Sequence, residues 1–187
     1  MLKLLSTLFF LLAIGLVMHR LFFSFAAQSP AAYADTAPAF DLRRHLAGDM
    51  ISEGVIFGPA GIVSARFVAR MRGSWVRQTG TLVEEFTYAS GATQKRQWTI
   101  TIEQNGRFTA TAPDIVGVAE GRISGATARL SYRLRLPDSA GGHVLDVVDW
   151  MYLAPNGTIL NRSQMRKFGI TVAELVATVR PEQEKTP

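Results

Sequence analysis

Apolar and polar residues alternate with a period of two along most of the chain. Leu130, Tyr132, Leu134 and Leu136 take turns with Arg129, Ser131, Arg133 and Arg135, and Trp98, Ile100 and Ile102 with Thr99, Thr101 and Glu103. Successive side chains of a strand point to opposite faces, so each run predicts a strand with one buried and one solvated side. Such runs recur at about 50–58, 62–72, 79–88, 94–104, 107–112, 115–123, 127–136, 143–154, 158–165 and 170–180. Turn chemistry separates them at Gly58-Pro59, Ser90-Gly91, Asn105-Gly106, Ser124-Gly125, Asp138 to Gly142 and Asn156-Gly157. No helical pattern alternates with these runs, which disfavours parallel βαβ architecture. The short connections predict an all-β antiparallel meander, and a sheet of this many strands curls or closes to remove its edges. An up-and-down barrel or half-barrel is the leading architecture, with a twisted open sheet or a sandwich as the alternative.

Hairpin register can be tested against the same pattern, because a slip of one residue moves a whole apolar set to the wrong face. At Asn105-Gly106 a three-residue loop that includes Arg107 sets Ile102 opposite Ala110 and Gln104 opposite Phe108, gathering apolar residues on one side. At Asn156-Gly157 a two-residue turn does so, setting Leu153 against Leu160, Val148 against Met165, Tyr152 against Asn161 and Trp150 against Ser163. Asp149 then lies diagonal to Arg162 on the opposite face.

The first 27 residues follow a different rule. After Lys3 the chain is apolar without interruption from Leu4 to Val17, then His19 and Arg20 intervene before a second apolar patch, Leu21 to Ala27. This is the layout of an export signal or a membrane anchor. Leu4 to Ala27 is long enough to span a bilayer, which takes about 20 residues, with Arg20 snorkelling. Cleavage at Ala32-Tyr33-Ala34, leaving Asp35 at the N-terminus, is the competing reading; an uncleaved anchor is preferred because the distance from Val17 to Ala34 is long for a signal peptide. Residues 28–39, small and Pro-containing, read as a linker. The domain is expected over 40–181 and a polar tail over 182–187.

The chain has 187 residues, 48% of them hydrophobic and 19% charged, and no cysteine, which suits one domain and excludes disulfide-stapled scaffolds. Positions 1–34 hold Lys3 and Arg20 as their only charges. The rest carries 18 basic against 15 acidic residues, so the formal charge falls from +5 to +3. That excess is too slight to argue for a nucleic-acid partner.

Chemistry-bearing motifs are sparse. There is no thiol, His19, His45 and His143 are scattered, and no zinc pair, nucleophile elbow, P-loop or dinucleotide fingerprint is present. Neither a metal nor a cofactor is expected. Glu84 and Glu85 are adjacent and so point to opposite faces of a strand, one solvated and one paired with an inward Arg. Asp114, after Pro113, reads as a turn residue. Lys95, Arg96, Arg66, Arg70 and Arg72 read as solvated strand positions. The densest polar and aromatic set is Asp149, Trp150 and Tyr152 across a hairpin from Asn161 and Arg162, followed by Lys167. With Trp98, these are the candidate ligand-binding residues: the rings supply apolar area, and Asn161 and Arg162 suit a carboxylate or phosphate. The plainer alternative pairs Asp149 with Arg162 to fix sheet register and packs Trp150 in the core.

FDLRRHLAG at 40–48, GRFTATAPDIVGVAEG at 106–121, DWMYL at 149–153 and NRSQMRKFG at 161–169 resemble the uncharacterised bacterial envelope-protein family catalogued as domain of unknown function 3833. The resemblance covers about residues 40–181. It implies a proteobacterial envelope protein, often a lipoprotein, with a lipocalin-like barrel and no assigned activity. This chain departs from the lipoprotein members in having no cysteine, which leaves the N-terminal helix as the tether. Asp149, Trp150, Tyr152, Asn161, Arg162, Lys167 and Phe168 carry over as a signature without assigned roles.

The expectation drawn from all this is a non-enzymatic barrel, held at the inner membrane by its N-terminal helix and facing the periplasm, that binds a small amphipathic or lipid-like molecule. A structural or interaction module docking on an envelope protein is the alternative. An enzyme working through Asp149, Asp114 or a Glu ranks last, since no nucleophile and base can be paired.

Overall fold

A computed structural model describes the backbone of residues 2–22 and 24–182 and, within the N-terminal helix, the side chains at 5–15 and 18. The polar tail beyond Glu182 and the side chain of Arg20 lie outside the described residues. The N-terminal apolar run forms helix α1 (Leu2–Phe22). Among the described residues, no helix is long and apolar enough to cross a membrane.

Ten antiparallel strands make up the body of the chain: β1 (Gly48–Phe57), β2 (Val63–Val76), β3 (Thr79–Tyr88), β4 (Thr93–Ile102), β5 (Arg107–Thr111), β6 (Ala119–Ser124), β7 (Thr127–Arg135), β8 (Val144–Leu153), β9 (Ile159–Lys167) and β10 (Ile170–Pro181). Each strand pairs with its sequence neighbour, and β1 pairs with β10 from Met50 opposite Pro181 to Phe57 opposite Glu174. The sheet is therefore a closed up-and-down barrel of lipocalin type, and the half-barrel, open-sheet and sandwich alternatives fall. Every period-two run becomes a strand, because closure gives each strand one inward and one outward face.

Both hairpin registers differ from the expected ones. At Asn105-Gly106 both residues adopt positive φ (57° and 71°), and Arg107 N–H donates to Gln104. Gln104, not Arg107, is the extra loop residue, so Ile102 faces Phe108 and Ile100 faces Ala110. The slip is two residues, which leaves the apolar face intact. At Asn156-Gly157 only Gly157 takes positive φ (85°), and Ala154 N–H donates to Thr158 across a three-residue loop. Leu153 therefore faces Ile159, Asp149 faces Ser163 and Trp150 faces Arg162. This slip is one residue, so it changes which side chains share a face: Asp149, Met151, Asn161 and Ser163 point into the barrel, while Trp150, Tyr152 and Arg162 point out.

One end of the barrel is plugged. Phe40, Leu42 and Leu46 are buried there, in and beside the short helix α2 (Leu42–His45), whose N-cap Asp41 accepts a hydrogen bond from Arg43 N–H at 2.9 Å. Trp75 Nε1–H donates to the Leu46 carbonyl at 2.9 Å. Gly73 permits this approach, since a Cβ there would lie 1.9 Å from that carbonyl oxygen.

Residues 25–40 run along the outer wall instead of hanging free. Tyr33 and Tyr152 both donate from their hydroxyls to the Gln28 side-chain oxygen, the latter at 2.9 Å. The Tyr33 ring lies 5.3 Å from Trp150, and Trp150 stacks on Tyr152 at 5.9 Å. Thr36 accepts from Ala126 N–H at 2.9 Å, and Phe40 N–H donates to the Gly125 carbonyl at 2.8 Å. An outward tryptophan thus ends fully buried, at 0% exposure. Replacing it should both leave a void and release the segment. Trp150→Ala is expected to lose about 3–5 kcal/mol in urea denaturation and to expose residues 28–39 to limited proteolysis; a loss under about 1 kcal/mol with unchanged cleavage would mean the segment does not hold the wall.

Candidate functional site

Above the α2 plug the inward side chains stop short of filling the barrel. A cavity of about 520 Å³ runs from Leu42 and Leu46 to a rim formed by Leu136, Pro137, His143 and Lys167. Its walls are mostly apolar, including Phe67, Phe86, Phe108, Met151 and Leu175. At the rim Lys167 Nζ meets His143 Nδ1 at 2.6 Å. Phe168, at the β9–β10 tip beside that rim, is 90% exposed, and Ile62 and Ile170 are also exposed.

Half-way along the strands a band of polar groups crosses the cavity. Glu84 on β3 sits opposite Arg96 on β4, and Asp149 on β8 sits opposite Leu130 on β7, two residues from Tyr132. Arg96 reaches beyond Glu84 to Asp114 in the β5–β6 connection, donating from Nε at 2.9 Å and from Nη2 at 2.5 Å to the same oxygen, Oδ2. The side chains of this ion pair are only 16% and 26% exposed. Trp98 Nε1–H donates to Glu84 Oε2 at 3.2 Å, and the Trp98 ring packs edge-on to Tyr132 at 5.4 Å with Arg96 over it at 5.6 Å. Asp149 Oδ1 accepts from Ser163 Oγ at 2.8 Å and from Asn161 Nδ2.

Low-dielectric surroundings disfavour the charged forms of these acids. Burial pushes the Glu84 carboxyl up to about 7, outweighing the nearby Arg96 and the Trp98 hydrogen bond. Burial likewise raises Asp149 despite its bonds from Ser163 and Asn161. Tyr132 is raised by burial and by the neighbouring Asp149. Burial works against the charge of Arg96, but Glu84 and Asp114 outweigh it and hold the guanidinium above its ordinary value. Among the described residues no three His, Asp or Glu side chains are placed to hold a metal.

A family described as "Protein of unknown function (DUF3833)" matches residues 19–181. The chain belongs to the DUF3833 family. No functionally curated protein matches it. Among solved structures, this DUF3833 barrel is similar to Rv2717c from M. tuberculosis, with 16% identity, 80% of this chain and 100% of that one covered, and a TM-score of 0.56. It is also similar to the S-type phycobiliprotein lyase CPES from Guillardia theta, with 9% identity, coverage of 75% and 90%, and a TM-score of 0.55. At these identities the likeness establishes the barrel fold.

Of the residues singled out from sequence, Asp149, Asn161, Trp98 and Lys167 line the cavity. Trp150, Tyr152 and Arg162 stand on the outer wall. Arg162 pairs there with Glu174 at 3.2 Å and lies 4.4 Å over the Phe25 ring, so the expected Asp149–Arg162 pair is replaced by Asp149–Asn161–Ser163. Glu85 is solvated and pairs with Lys95 at 2.7 Å while Glu84 points inward beside Arg96, as the adjacent-carboxylate argument expects. Arg96 is not a solvated position, and Asp114 is more than a turn residue. The signal that places Arg96 inside was its parity with Trp98 and Ile100; Glu84 likewise shares parity with Leu82 and Phe86.

The raised Glu84 fixes the sign of a pH effect. Between its unfolded value of 4.5 and about 7 the folded chain holds a proton that the unfolded chain has lost, so stability falls as pH rises through that window. Glu84→Gln removes the penalty. Urea denaturation is expected to find the variant stabilised relative to the parent by up to about 3 kcal/mol above the window and nearly unchanged below it. An effect of equal size at both ends would show that Glu84 does not titrate in this range.

Proposed function

We infer that the barrel binds a small amphipathic or lipid-like molecule, and that the apolar N-terminal segment tethers it to the inner membrane with the domain facing the periplasm. The observation that carries the reading is the cavity of about 520 Å³, apolar-walled with a polar band half-way down. Pockets that enclose most of a small ligand have this size and this mixture, with few polar groups fixing orientation among many apolar ones. An amphiphile satisfies both: its chain takes the apolar wall and its head meets the polar band. Exposed Phe168, Ile62 and Ile170 around the mouth support entry of an apolar chain there. The tether and compartment rest on the Leu4–Val17 run alone. Binding without turnover is the simpler reading of the same band, in which Arg96 is occupied by Asp114 and Asp149 by Asn161 and Ser163.

Native mass spectrometry of the gently extracted full chain tests this. An added mass of a few hundred daltons, retained across detergents and lost in Met165→Trp, which puts an indole into the upper cavity, is the expected result. A uniform apo mass across detergents and lipid mixtures contradicts it.

A further inference from the structure

The polar band has an asymmetry that bears on the ligand's head group. Each of its three carboxyl groups ties one oxygen to the protein: Glu84 Oε2 to Trp98, Asp114 Oδ2 to Arg96, and Asp149 Oδ1 to Ser163 and Asn161. The other oxygens, Glu84 Oε1, Asp114 Oδ1 and Asp149 Oδ2, have no hydrogen-bond donor among the described residues; Asp114 Oδ1 is sealed from the cavity, whereas Glu84 Oε1 and Asp149 Oδ2 stay open to it. Tyr132, which lines the same cavity, also makes no hydrogen bond through its hydroxyl to a described residue. Polar atoms in a protein interior are ordinarily paired, and unpaired ones that face the same cavity from β3, β7 and β8 indicate where a missing partner belongs. The band holds a single cation, Arg96, against three acids, and both donors that Arg96 commits go to Asp114. Lys167 and Arg135 line the cavity only at its rim.

Resting on the ligand-cavity reading above, we propose that the barrel selects an amphiphile whose head is a protonated amine, seated against the free oxygens of Glu84 and Asp149 with the Trp98 and Tyr132 rings beside it. An ammonium group supplies several donors and no acceptor, matching a wall that offers acceptors. Its positive charge offsets the acid excess and draws Glu84 and Asp149 into their ionised forms. The electron-rich faces of Trp98 and Tyr132 favour the same sign of charge. An anionic head cannot offset that charge: it favours the protonated forms of Glu84 and Asp149 and is repelled wherever they ionise. This inverts the sequence-based expectation of a carboxylate or phosphate ligand, because the arginine on which it relied, Arg162, stands outside the barrel.

The test uses the full chain in phosphatidylcholine nanodiscs, with isothermal titration of octylamine, octanoate and octanol at neutral pH and empty nanodiscs as reference. Octylammonium is expected to bind at least about tenfold more tightly than octanoate. In the double variant Glu84→Gln with Asp149→Asn the ratio should fall below about twofold, while octanol binding, which reports an intact cavity, stays within about twofold of the parent. Equal or tighter octanoate binding, or a preference that survives the double variant, overturns the amine assignment and leaves the ligand cavity standing. Failure of all three probes to bind overturns the cavity reading and the amine assignment with it.

Discussion

The structure depends on the closure of a ten-stranded sheet upon itself. Barrel width grows with strand number, and about eight strands give an interior that side chains can just fill. With ten, the inward residues and the α2 plug leave about 520 Å³ open. Closure gives every strand a neighbour on both sides, so the sheet has no terminal strand, although β4 meets β5 only over Thr99–Ile102. A wall of this kind tolerates unfilled space that a sandwich would collapse, because its geometry is set by strand pairing and not by the packing inside.

That slack is what admits charge. A filled core would not accept Glu84, Arg96, Asp114 and Asp149 together, since each desolvated charge costs several kcal/mol unless it is paired. Here the cavity keeps them partly accessible, Arg96 neutralises Asp114, and proton uptake relieves Glu84. The same layout splits the polar residues between two jobs. Arg162 and Glu174 pair on the outer wall, where Arg162 also packs over the N-terminal segment, whereas the inner acids remain half-satisfied.

The period of two was enough to find all ten strands and to make closure the leading architecture, because a half-buried strand writes its two faces directly into the sequence. Register was less legible. The Asn156-Gly157 loop admits two or three residues, and the choice turned on whether Asn156 also takes positive φ, which the residue types do not decide. That single residue moved Trp150 and Arg162 to the outside. Nor did the pattern show that residues 25–40 would cover Trp150, since a tryptophan on the outer face and one in the core look alike in sequence. Arg96 was different: its parity with Trp98 pointed inward, but its partner Asp114 comes from a connection that only the folded barrel brings within reach.

Ligand binding by this barrel requires an interior that is open and lined by unsatisfied acceptors. A crystal structure of the full chain, at a resolution that shows ordered water, tests this most directly. Ligand or water density is expected within roughly 3 Å of Glu84 Oε1 and Asp149 Oδ2. An interior collapsed so that protein donors fill those two positions would contradict it.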